Sequence, residues 1–143
     1  MAIKLKLEGF DDLLKQIEEA AGSADRGAEA AVNASAQIMD NALREELKAV
    51  GENDLARRMP KPTVTNDGGN YSASVGFPSA PYNPRKPADY FKAIFLNYGT
   101  PNRSKHGKEA ARGYIAKAKK KARPKIKKAQ KEALEKVIER LKK

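Results

Sequence analysis

The sequence predicts an α+β fold: long helices packed against a small antiparallel β-sheet, with a basic helix at the C-terminal end. Two long stretches, 24–50 and 124–141, repeat apolar residues at the three-and-four spacing of an amphipathic helix. Residues 3–8 instead alternate apolar and charged, and two further β-type runs flank a glycine-rich turn at 66–70. Aromatic residues make up only 6% of the chain and tryptophan is absent, so the core rests mainly on Ala, Leu, Ile and Val. Such side chains suit closely packed helices better than a large sheet.

The elements follow in order. Ile3, Leu5 and Leu7 share one side of a short strand whose other side is Lys4, Lys6 and Glu8, and Gly9 ends it. Asp11 and Asp12 stand where an N-cap and a first-turn acid belong, ahead of Leu13, Leu14, Ile17, Ala20 and Ala21, with Gly22 as the stop. A long helix then begins near Ser23 to Asp25 and runs to Val50. Its stripe is Ala28, Ala31, Val32, Ile38, Met39, Ala42, Leu43, Leu47 and Val50, and Gly51 closes it. At 1.5 Å per residue it spans roughly 40 Å, which makes it the expected spine of the fold.

A helical turn at 53–59 precedes a β-hairpin. Thr63-Val64-Thr65 and the run from Tyr71 to Phe77 flank Asn66-Asp67-Gly68-Gly69-Asn70, where Asp-Gly and Gly-Gly accept positive φ. Tyr71, Ala73, Val75 and Phe77 then share one face. Pro78, Pro81, Pro84 and Pro87, three residues apart, favour extended chain and remove amide donors, so this stretch, with Arg85 and Lys86, is expected to project as a loop. Tyr90, Phe91, Ile94, Phe95 and Tyr98 form a stripe at helical spacing that reads as core, and Gly99-Thr100-Pro101 ends that helix.

Residues 102–108 are polar and loop-like. Helix resumes at Ala110 or Ala111, with Ile115, Ala118 and Ala122 on one side. Pro124 cannot donate an i to i−4 bond, so a new helix is expected to start there. Its stripe is Ile126, Ala129, Ala133, Leu134, Val137, Ile138 and Leu141, with Glu132–Lys136 and Glu139–Lys143 pairs at i, i+4. The 143 residues fit one domain. Within it, 1–101 form an α+β core and 102–143 a basic helical extension, either part of that domain or docked as an arm.

Charge divides at the same boundary. Residues 101–143 carry 17 Lys and Arg against 4 Asp and Glu, and residues 1–100 carry 12 against 14, so the formal charge of +11 arises wholly at the C-terminal end. Summed positive potential of this kind attracts either nucleic acid or an acidic protein neighbour.

Several chemistries lack their residues. Without Cys there is no disulfide, thiolate site or cysteine nucleophile. His106 is the lone histidine, set in a polar loop between Lys105 and Lys108, and no paired metal-ligand spacing accompanies it. Asp11/Asp12, Glu18/Glu19 and Glu45/Glu46 are adjacent on helices, diverge by about 100°, and read as solvated faces. No phosphate-binding Gly-rich loop or nucleophile elbow occurs. The expectation is therefore a protein that is not an enzyme and holds no metal or cofactor. No apolar run approaches the roughly 18 residues of a bilayer span, and the N-terminus lacks a signal-peptide core, so it should stay where it is made.

The order of these elements carries a resemblance. Leu7-Glu8-Gly9-Phe10-Asp11-Asp12-Leu13-Leu14, a long Ala-rich helix, a hairpin, Phe95-Leu96-Asn97-Tyr98-Gly99-Thr100 and a downstream Ala122-Arg123-Pro124 together resemble the tail-component family of long-tailed bacteriophages. Its members are also called tail-completion or head–tail joining neck proteins. Asn97 stands where members often carry an acid. The resemblance implies a structural virion protein, made in the host cytoplasm and assembled in the phage neck as a homo-oligomeric, six-fold ring. Its partners would be the head connector and the tail-terminator or tail-tube proteins, with genome DNA crossing the ring and no membrane involved. The residues expected to meet partner or DNA are Arg85, Lys86, Tyr98, Gly99, Thr100, Lys119, Lys120, Lys121, Arg123, Lys125, Lys127 and Lys128.

The rival reading is a stand-alone, basic nucleic-acid-binding protein without sequence specificity. The cations lack stacking aromatics, Tyr114 apart, which disfavours base recognition. They are therefore expected to face an acidic protein neighbour.

Overall fold

The computed structural model describes residues 2–7, 9–19, 24–68, 70–99 and 113–142. The expectations for Glu8, Ala20, Ala21, Gly22, Gly69, Thr100, Pro101, His106, the loop 102–108 and the Glu139–Lys143 pair fall outside these residues, as does the helix start at Ala110 or Ala111. The elements run β1 (Ala2–Lys6), α1 (Asp11–Glu19), α2 (Ala24–Ala49), α3 (Asn53–Arg58), β2 (Thr63–Asp67), β3 (Asn70–Gly76), α4 (Asp89–Tyr98) and α5 (Tyr114–Lys142). This is the α+β architecture that the sequence predicts.

Helix α2 is the spine: β1, β3, α1, α3 and α5 all pack on it, α5 most extensively. Its three-and-four stripe buries Ala31, Val32, Met39, Ala42, Leu43 and Leu47. A fully buried Leu such as Leu47 contributes about 2 kcal/mol of transfer free energy. Gly51 then leaves the helix at φ +84°, a conformation that glycine adopts without strain.

The three-stranded sheet has the order β1-β3-β2, with both pairings antiparallel. Ile3 lies opposite Val75 and Leu5 opposite Ala73; the hairpin closes with Asp67 opposite Asn70. Alternation turns Ala73, Val75 and Ile3 onto α2, and Phe77 joins them just past the strand. That core also takes in Leu55, Met59, Ala93, Leu96 and, from α5, Tyr114, Ile115, Ala118 and Ala122. A second cluster of Ile17, Ala31, Leu134 and Ile138 holds α1 and the C-terminal half of α5 against the start of α2.

Four expectations need correction. Pro124 starts no new helix: α5 is continuous across it. Proline costs about 3 kcal/mol inside a helix, but here it is exposed while Ala122 and Gln130 stay buried on either side, so packing on α2 carries the helix through. Asp11 is already helical, and the Phe10 carbonyl accepts the Leu14 amide at 3.1 Å, so the cap lies one residue earlier. Glu46 is buried, because Lys121 reaches across from α5 to pair with it.

The fourth correction concerns α4, whose aromatic stripe is not core. Ala93 and Leu96 are the buried residues, Tyr90 packs half-buried against the core, and Phe95 and Tyr98 are 41% and 65% exposed. Small Ala93 lets the helix sit close, which turns the larger rings outward. Two ion pairs fix α4 beside α3: Arg58 with Asp89 at 3.1 Å and Lys92 with Glu52 at 3.3 Å.

Candidate interaction surface

Helix α5 sorts its cations into rows. Lys119, Arg123 and Lys127, four residues apart, line a groove of about 490 Å³ between α5 and β1. Met39, Ile115 and Ile126 supply its apolar lining, and Tyr98 and Gln130 also border it. Lys121 and Lys125 line a smaller cleft of about 170 Å³ with Ile38, Asn41 and Glu45 of α2. Lys120 and Lys128 are exposed to solvent.

The predicted site residues are thus only partly brought together. Tyr98 joins the Lys119, Arg123 and Lys127 row at the groove, and Gly99 follows Tyr98 as the cap of α4, its amide donating to the Phe95 carbonyl at 2.7 Å with φ at +83°. Thr100 lies outside the described residues. Arg85 and Lys86 sit apart from this groove, on an exposed turn where both backbone amides donate to Asn83. Tyr82 from the same loop meets Phe91 edge-on at 5.1 Å, so the loop folds back onto the first turn of α4.

Asn97 is a structural residue that sequence reading did not single out for a role. Its side-chain oxygen accepts the Ile115 amide at 3.1 Å and its backbone carbonyl accepts the Gly113 amide at 3.2 Å. A side chain of α4 therefore caps the N-terminus of α5, satisfying one of the donors that every helix start leaves open. A carboxylate could accept the same bond. Gln130 is likewise a buried polar link: its Nε2 donates to Ser35 Oγ at 2.7 Å and to the Lys6 carbonyl at 3.4 Å. Only the burial of Gln130 within an otherwise polar run would have revealed it.

Two groups in this region titrate away from their ordinary range. Burial, with a further contribution from the charge of Tyr98, pushes the Tyr114 phenol from 10.0 up to about 12. The hydrogen-bonding and charge interactions of Glu46 raise Lys121 above the usual 10.5. Both raised values have the same sign for stability: each contribution is complete below the unfolded-state pKa and is lost as pH climbs through the folded value. Unfolding midpoints should therefore fall between pH 10 and 12, and Tyr114→Phe should flatten part of that fall. Thermal melts across the range measure it; an unchanged slope in the Phe variant would refute the assignment.

Among the described residues, no group of three or more His, Cys, Asp or Glu is placed to hold a metal ion. No described helix is long and apolar enough to cross a membrane. No family model, curated protein or solved structure matches the chain.

Proposed function

We propose that this chain is a structural subunit of a tailed-phage neck, a tail-completion protein that joins the tail to the DNA-filled head. The observation that carries the reading is the outward aromatic side of α4, with Tyr98 65% and Phe95 41% exposed, beside the cationic groove of α5. Large rings left uncovered next to a concentrated charge mark a surface made for assembly. Such a subunit would build a ring of copies of itself between the head connector and the tail tube, with Arg85, Lys86 and the α5 cations turned toward neighbours or the genome.

The exposed cations of α5 also support the rival reading of a basic nucleic-acid-binding protein. Disrupting the gene in its phage separates the two. The neck reading expects DNA-filled heads and free tails, with few joined particles, when the lysate is counted by electron microscopy. Normal numbers of joined, infectious virions would end it.

A further inference from the structure

The groove between β1 and α5 has one wall made of backbone. In the order β1-β3-β2, β1 pairs with β3 on one side and, among the described residues, has no strand on the other. Gln130 reaches the Lys6 carbonyl from that open side at 3.4 Å. Strand alternation then places the amide and carbonyl of Lys4 on the same open edge, facing the groove. Unpaired edge groups of this kind are a template for another strand.

The opposite wall specifies charge. Lys119, Arg123 and Lys127 close no ion pair with any acid among the described residues, whereas Lys121, Lys92 and Lys131 each do. Like charges at i, i+4 repel along a helix, so this row is destabilising until an anionic partner arrives. Between the two walls lie Met39, Ile115 and Ile126.

We infer that this groove binds an extended, acidic segment of a partner protein, which adds to β1 as a fourth strand. The segment's backbone would pair with the free edge. Its alternate side chains would be apolar toward Met39, Ile115 and Ile126, and Asp or Glu toward the cation row. Nucleic acid would neutralise the row but offer nothing regular to the edge of β1 or to the apolar lining. The inference goes beyond the neck reading and stands without it, since any partner with such a segment would serve.

The test uses the full chain and a labelled peptide of roughly six residues alternating Val and Glu, with a Val–Lys peptide and a short DNA duplex beside it. Fluorescence polarisation and backbone amide exchange are read together. The acidic peptide should bind and the Val–Lys peptide should not, and binding should slow exchange of the Lys4 amide. Charge reversal at Lys119, Arg123 and Lys127 should weaken the peptide at least about tenfold, while Lys120→Glu with Lys128→Glu, at exposed positions outside the groove lining, should change it less than about threefold. N-methylation of alternate peptide amides should abolish binding in one register. Any of three results would overturn the inference: no binding up to roughly 1 mM, equal loss in both charge variants, or duplex binding by the same row with Lys4 exchange unchanged.

Discussion

Replacing Arg44 by Met is expected to remove about 3 kcal/mol of folding stability, lowering the thermal midpoint by about 10 °C. Arg44 is a three-way link. Its Nε donates to Asp40 Oδ2 at 2.9 Å within α2, Nη2 donates to the Met59 carbonyl at 2.8 Å, and Nη1 donates to the Ala56 carbonyl. Those carbonyls belong to the end of α3, where a helix has no partners of its own for them. Asp40 is nearly buried, and among the described residues its Oδ1 has no hydrogen-bond partner. Losing the guanidinium therefore strands a carboxylate and two carbonyls at once, and an apolar Met returns only the packing of the stem. Arg44→Lys keeps the charge without the planar fork and should recover less than half of the loss. Pairing Arg44→Met with Asp40→Asn should recover part of it, because no charge is then left buried. Urea titration of the four proteins gives the answer, and a Met variant within 0.5 kcal/mol of wild type would refute the linking role.

Leu134→Ala should cost a similar amount, about 3 kcal/mol, with a more local signature. Leu134 is fully buried with Ile17, Ala31 and Ile138, in the cluster separate from the main core. The helices meet closely here because of Gly27: a Cβ at that position would stand 2.7 Å from Ile17 Cδ1 and 3.0 Å from Leu134 Cδ2. Truncating Leu134 opens a cavity between three helices that already touch through a glycine, so α1 loses its main anchor. Amide exchange should rise in α1 and the C-terminal half of α5 well before it rises in β3. Uniform acceleration across the chain would show instead that the two clusters unfold as one.

What could be read from the sequence was whatever depends on near neighbours. The alternation around Ile3 and Leu5, the hairpin at Asp67-Gly68 and the stripe of α2 are periodic signals, and all of them hold. Spacing alone also groups Tyr90, Phe91, Ile94, Phe95 and Tyr98 on one side of α4. It cannot say whether that side finds a cover, and here Ala93 and Leu96 make the contact instead. Arg44, Asn97 and Gln130 stayed hidden for a related reason, since their partners lie 12 to 124 residues away and no local pattern announces them. The groove needs still more: its existence depends on β1 being an edge, which is a property of topology and not of any residue within it.

The bond from Gln130 to Ser35 closes a loop of 95 residues, and the one to Lys6 closes a loop of 124. Contacts so distant along the chain slow the search for the native state, because the entropy of closing each loop is lost before packing repays it. On the ribosome the order is stricter. β1 emerges well before β3 but must wait for it to pair, and α2 must wait for α5 to cover the side that carries Ser35. The side of α2 that α5 covers therefore stays open until residues 114–142 have been made, and the fold closes only when its most basic segment arrives.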